Sequence, residues 1–169
     1  MHVPDPAGVP PQVFRAAMGH LTGGVCVVSA VRAGVLHAMT ATALSSVSLS
    51  PPLVLVCVGH RARFHAAIVE AGRWAVSILS AGQTEIAEHF ANSGRDLATQ
   101  FDRVPHRVGP QSGGAVIDGS SAWLDCLTEA AYPAGDHTVV VGRVLAAGHA
   151  GGDDPGGLIH RLGRFGSTW

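Results

Sequence analysis

A chain of 169 residues, 47% of them hydrophobic and 14% charged, suits a single compact domain with a sizeable core. Its net charge is −1 and its eleven basic residues are all Arg, so a Schiff-base lysine and a phosphate loop ending in Gly-Lys-Ser/Thr are excluded, and no basic stripe offers a footprint for nucleic acid. No apolar run approaches the ~20 residues that span a bilayer, and the start MHVPDPAGVPPQ lacks the basic and apolar segments of a secretory signal, which predicts a soluble cytoplasmic protein without membrane contact.

In chain order, residues 1–12 read as an irregular, proline-rich N-terminal arm and residues 13–169 as one domain. In VFRAAMGHLTGG, Phe14, Ala17, Met18 and Leu21 recur at helical spacing, and Gly23-Gly24 ends the pattern. VCVVSAV (25–31) and the run Val35 to Thr40 form a hairpin around Arg32-Ala33-Gly34. LVLVCV (53–58) is a strand, too short for a core helix; Gly59 breaks it. HRARFHAAIVEAG then places Phe64, Ala67, Ile68 and Ala71 on one face of a second helix closed by Gly72. RWAVSIL (73–79) returns as a strand, and TEIAEHF (84–90) is a third helix with acids in its first turns. Residues 92–114 are polar and contain Gly, which predicts a surface loop anchored by Phe101. SAWLDCLTEA (121–130) and HTVVVGRVLA (137–146) are antiparallel strands joined by the turn segment AYPAGD, and a Gly-rich loop with a short tail ends the chain. Six or more strands, mostly hairpin-connected, with two or three short helices predict a mainly β (α+β) antiparallel barrel. A doubly wound sheet fits less well, because the Gly fingerprint between a strand and a helix is absent.

Cys26, Cys57 and Cys126 lie far apart in apolar runs and are odd in number, which predicts buried free thiols rather than a disulfide framework. Ten histidines are present, but there is no HExxH or CxxC pattern and His60 and His65 stand five apart, so no metal site is expected. A GxSxG nucleophile motif is also missing, and nothing marks a base beside Ser45, Ser46 or Ser48. The stretch HAMTATALSSVSLSPP instead crowds Thr and Ser hydroxyls among small residues just before a buried strand. Small side chains at Ala41 and Ala43 let a flat ligand approach the main chain, and the hydroxyls donate to phosphate oxygens. Arg61 and Arg63 beside the second helix add guanidinium forks and a helix N-terminus for the same anion. On composition alone, a solvated edge strand followed by an ordinary charged helical turn is the reading favoured over an anion site.

MTATALSSVSLSPPLVLVCV followed by HRARFHAAI resembles the flavin reductase-like, FMN-binding split-barrel family, in particular the small reductase components of two-component flavin-dependent monooxygenases. FRAAMGHLTGGVCVVSA, RWAVSIL, SAWLDCL, AGDHTVVVGRV and, more weakly, LIHRLGRF extend the resemblance in order over nearly the whole chain. It implies a homodimeric antiparallel split β-barrel that binds FMN, or FAD, near the subunit interface and reduces it with NADH or NADPH. By the same resemblance Thr40, Ala41, Thr42, Ala43, Ser45, Ser46, Val47 and Ser48 lie along the isoalloxazine and ribityl chain, and His60, Arg61, Arg63 and Phe64 hold the phosphate. Asp136 and His137 of the Gly-Asp-His motif lie near the nicotinamide, with His137 in the catalytic role, and His160, Arg164 and Phe165 of the tail close over the site. Hydride transfer between stacked rings needs positioning more than acid–base help, which suits this residue set. The resulting expectation is an NAD(P)H:flavin oxidoreductase supplying diffusible reduced flavin to a partner monooxygenase. Two alternatives are a flavin- or haem-binding carrier or regulator without turnover, and an enzyme that keeps tightly held FMN for its own substrate.

Overall fold

The computed structural model describes residues 8–152 and 155–168. The elements run α1 (Pro11–Met18), β1 (Gly23–Gly24), β2 (Cys26–Arg32), β3 (Val35–Ala41), β4 (Leu44–Leu49), β5 (Pro52–Gly59), α2 (Arg63–Ala71), β6 (Arg73–Ile78), α3 (Thr84–Ala91), β7 (His106–Val108), β8 (Ala115–Ile117), β9 (Ala122–Ala134), β10 (His137–His149), β11 (Leu158–Arg161) and β12 (Arg164–Ser167). Seven strands pair antiparallel in the order β3-β2-β6-β9-β10-β5-β4. Met39 and Ala41 from one edge strand and Leu44 from the other meet in the same apolar cluster, so the sheet wraps around it as a split barrel. Among the described residues no helix is long and apolar enough to cross a membrane.

The apolar run in β2, interrupted by Ser29, reflects burial on both faces. Cys26, Val28 and Ala30 point into the barrel, while Val25 and Val27 pack outward against Ala87 and Phe90 of α3, Ile117 and Leu158. Helix α2 lays Phe64, Ala67 and Ile68 onto the barrel core, each such side chain larger than Ala contributing about 1.5–3 kcal/mol when fully buried. Gly72 ends α2 in the left-handed conformation at φ 66°, where a Cβ would be strained.

Three stretches differ from the expectation. The first helix starts at Pro11, whose missing N–H costs nothing at that position, and it stops at Met18, because Gly19 offers its carbonyl to Leu162 N of the β11–β12 turn. Part of the expected N-terminal arm, residues 1–7, lies outside the described residues. The polar segment 92–114 is not all loop, since His106–Val108 pairs with Ala115–Ile117. That hairpin is tied to the outer face of the barrel by buried side chains: Ser29 Oγ donates to Ala115 O at 2.8 Å and Ile117 N donates to Ser77 Oγ at 2.9 Å. Asp125 Oδ2 accepts from Gln111 N at 2.6 Å and holds the loop between the two strands. Finally, β9 and β10 run to 13 residues each, because Ala131–Ala134 continue pairing with His137–Val140 and leave only Gly135-Asp136 to turn.

Candidate active site

The segment between β3 and β4 crosses the same end of the barrel at which β5 finishes and β10 begins. Cys57 N donates to Ala43 O at 3.2 Å, and Gly59 pairs with His137. Thr42 and Ala43 are exposed and line a cavity of about 660 Å³, walled by Arg15, Met18 and Gly19 on one side and by His160 and Leu162 of the tail hairpin on the other. Thr40 instead donates its hydroxyl to Ala87 O of α3 at 2.7 Å, and Ala41 is 7% exposed within the barrel core. Strand β3 ends at Ala41, whose side chain stays in the barrel, and Thr42 and Ala43 lie beyond the strand's alternation and line the cavity, so Ala41 offers a ligand only its backbone. On the edge strand β4, Ser45, Ser46 and Val47 are exposed, with a register shift between Ser46 and Ser48. Their hydroxyl contacts are local: Ser45 Oγ donates to Ser46 O at 3.2 Å, and Ser48 Oγ accepts from Ser50 N at 3.3 Å.

A second, smaller cavity of about 140 Å³ lies beside Met39, bordered by Arg61, Arg63, Phe64, Ser93 and Arg95. Helix α2 begins here behind Ala62, which has no side chain to cap it, so its first N–H groups stay available to an anion. Phe64 is 3% exposed and belongs to the core, so it offers the cavity little more than its backbone and ring edge. Among the described residues, none of Arg61, Arg63 and Arg95 forms an ion pair. Burial, and next the Arg63 charge, lower the Arg95 pKa to about 10, which leaves it cationic at neutral pH. Met39 and Ala43 are four residues apart, on the order of 13 Å of extended chain. The two cavities flank the same segment, with Met39 bordering one and Thr42 and Ala43 the other.

At the start of β10, His137 Nδ1 lies 2.7 Å from Asp136 Oδ1. A carboxylate only accepts, so Nδ1 carries the proton and Nε2 is left for a ligand. The hydrogen bond from His137 holds the Asp136 carboxyl below its usual range. Gly59 gives the ring room, since a Cβ there would sit 3.4 Å from His137 Nε2. His60 N donates to Asp136 O at 2.9 Å, its ring meets His65 edge-on at 5.1 Å, and His65 Nε2 lies 2.8 Å from Thr138 Oγ1. The turn that carries His137 is thus fastened to the loop that carries Arg61.

Two tail residues are placed differently from the expectation. Arg164 is exposed opposite Arg161 on β12 and borders neither cavity. Phe165 packs against the outer core cluster and edge-on to His160 at 5.3 Å, so its ring is spent on packing, while His160 does face the larger cavity.

Residues 18–168 match the family model described as flavin reductase like domain. The chain belongs to that family. It is 39% identical over 166 residues to the FMN reductase (NADH) SmoA of Agrobacterium fabrum, covering 96% of this chain and 92% of that one. The solved Streptomyces globisporus NADH:FAD oxidoreductase SgcE6, in complex with NAD and FAD fragments, superposes with a TM-score of 0.84 at 39% identity and covers 92% of this chain and 91% of its own. BorF, the flavin reductase component of a bacterial two-component tryptophan halogenase, gives 0.86 at 37%, with 94% and 98% covered.

For a flavin reductase-like domain, Arg95 is the residue that sequence reasoning missed. It sits in the segment read as surface loop, and its only sequence signal is an Arg soon after a helix end, in Asn-Ser-Gly-Arg. The structure also separates Ala41 from Ala43. Ala43→Leu is expected to weaken FMN binding by about tenfold or more with an unchanged melting temperature, since the added side chain enters the cavity. Ala41→Leu lowers the melting temperature instead, because it overpacks the barrel; fluorescence titration and thermal unfolding of the two variants check this. Cys26 and Cys126 are inert here, with burial pushing both thiols to about 12.

Proposed function

We propose that this chain is a flavin reductase that takes hydride from NADH, passes it to FMN or FAD, and releases reduced flavin to a separate flavin-dependent monooxygenase. The observation that carries the reading is the continuity of three features at one end of the barrel: an anion cavity with unpaired guanidiniums, an exposed ledge at Thr42-Ala43, and the Asp136–His137 pair two strands away. When the flavin and the nicotinamide are bound, they supply the hydride chemistry themselves. The protein supplies placement. Arg61, Arg63, Arg95 and the start of α2 hold the phosphate; Thr42, Ala43 and the Ser45–Ser48 edge support the ring and its chain; His137, its tautomer fixed by Asp136, orients the nicotinamide through Nε2; and His160 borders the opening. Thr42 and Ala43 on the wall of the larger cavity are exposed, which suits a flavin that enters and leaves as a substrate.

The reading includes a homodimer in the cytoplasm, where NADH is available. The dimer is supported by α1, which has no buried residue and leaves Phe14 59% and Met18 46% exposed on one face, next to Leu162 on the rim of the larger cavity. Sedimentation equilibrium is expected to give twice the 17.3 kDa chain mass. The functional test is NADH consumption in air with and without added flavin. Turnover is expected only when FMN or FAD is supplied, and is expected to be slower with NADPH. Consumption no faster than in protein-free controls contradicts the proposal, and turnover undiminished after removal of free flavin favours an enzyme that keeps its FMN.

A further inference from the structure

The relatives include both an FMN reductase and an NADH:FAD oxidoreductase, so kinship does not decide which flavin this chain takes. We propose that Arg95, together with Arg61 and Arg63, makes the anion cavity select a terminal phosphate monoester, so that this chain binds FMN in preference to FAD. The inference rests on the flavin reading above and sharpens it.

Arg95 is a charge without a counter-charge. Its Nε donates to Gln100 Oε1 at 2.9 Å, Nη1 donates to Phe90 O at 2.9 Å and Asn92 O at 2.6 Å, and Nη2 donates to Ala38 O. Its guanidinium carbon lies 5.3 Å from the Phe90 ring centroid. All of these partners are neutral, so they fix the guanidinium in place and leave its charge uncompensated. One N–H of Nη2 remains beyond the bond to Ala38. Arg63 is near enough to lower the Arg95 pKa, and an anion between the two cations relieves that repulsion.

The cavity, about 140 Å³, takes one phosphate group and not the adenylate half of a dinucleotide. What separates the two flavins there is charge. The phosphate monoester of FMN loses its second proton at a pKa of about 6, as phosphate monoesters do, and is a dianion at pH 8. The first phosphate of FAD is a diester with a single charge at every pH in this range. The additional charge meets three guanidiniums in a partly desolvated site, which favours FMN by about tenfold at low salt.

Other ionisable groups stand on the elements around the cavity: His37 on β3, His60 in the loop, His65 on α2, Glu88 and His89 on α3, and Asp96 beside Arg95. Burial first, and then the charges of Arg32 and Arg63, lower the His37 pKa. None of these groups is among the residues that border the cavity, so the three guanidiniums dominate the difference between the two phosphates. The ratio of the two affinities therefore follows the proton on FMN itself, and falls as pH drops through about 6.

Titration of the full chain with FMN, FAD and riboflavin, read by flavin fluorescence at low salt, tests this. FMN is expected to bind about tenfold tighter than FAD at pH 8 and about twofold tighter at pH 5. In Arg95→Gln the ratio at pH 8 is expected to shrink to about twofold with riboflavin affinity unchanged, and Arg95→Lys is expected to restore it. A residue that merely anchors the 92–100 loop weakens all three flavins in proportion and leaves the ratio intact, which overturns the role given to Arg95. FAD binding as tightly as FMN at pH 8 in the wild-type chain, or a ratio that does not change with pH, overturns the selectivity itself. If none of the three flavins binds, the flavin reading falls and this inference falls with it.

Discussion

His137→Ala is expected to lower kcat/KM for NADH by about 10²-fold while FMN affinity stays within about twofold of wild type. The separation follows from where the residue sits. His137 stands on the β9–β10 turn, outside both cavities assigned to the flavin, and touches the rest of the site through Asp136, Gly59 and the His60 backbone. A group that aligns the nicotinamide changes the fraction of encounters with correctly stacked rings, and misplacement of about 1 Å is enough for an effect of this size. Asp136→Asn is expected to act in the same direction and more weakly, since the amide holds the imidazole without the charge that selects its tautomer. Stopped-flow reduction at saturating FMN separates the two outcomes. A His137→Ala protein that oxidises NADH at the wild-type rate removes His137 from the mechanism.

The largest effect on stability is expected at Gly142. A Cβ there would lie 2.4 Å from Trp74 Cζ2 and 3.1 Å from Cys126 Cβ, in the middle of the barrel. Trp74 is fully buried and its Nε1 donates to Thr128 Oγ1 at 3.2 Å, so the ring has no free direction in which to move. Gly142→Ala should therefore cost about 3 kcal/mol, at the upper end of overpacking, and lower the melting temperature by roughly 6–12 °C. Gly148 provides the comparison. Its Cβ would meet Trp123 Nε1 at 2.5 Å, but Trp123 is only half-buried and can swing outward, so Gly148→Ala is expected to cost less. Thermal unfolding should also show that Trp74→Phe in the Gly142→Ala background recovers stability relative to Gly142→Ala alone. Equal losses at positions 142 and 148 would mean that the Trp74 ring is not the constraint.

The strands that line the barrel are legible in the sequence because their burial is simple. VCVVSAV is apolar at every position but Ser29 because β2 is covered on both faces, and in β5 every second residue, Val54, Val56 and Val58, turns into the barrel. The β7–β8 hairpin is not legible. Its pairing is stabilised by Ser29, Ser77 and Asp125, each far away in sequence, and its own residues carry a weak strand pattern. The same reason hides Arg95, whose acceptors come from β3, from the end of α3 and from Gln100. At the ledge, the sequence shows that Ala41 and Ala43 are small, but their directions depend on where β3 ends, and only one of them faces the cavity. In the tail, His160 borders the larger cavity, whereas Phe165 is drawn into the outer core because the β11–β12 hairpin needs an apolar residue on that side.

The central claim is that this barrel end carries hydride from NADH to a bound flavin. Anaerobic stopped-flow mixing of NADH with the protein and FMN tests it most directly. The account predicts bleaching of the oxidised flavin band in a protein-dependent phase that saturates with NADH and is slowed about 10²-fold in His137→Ala. Bleaching at the rate of free FMN with NADH, with or without the protein, would contradict it.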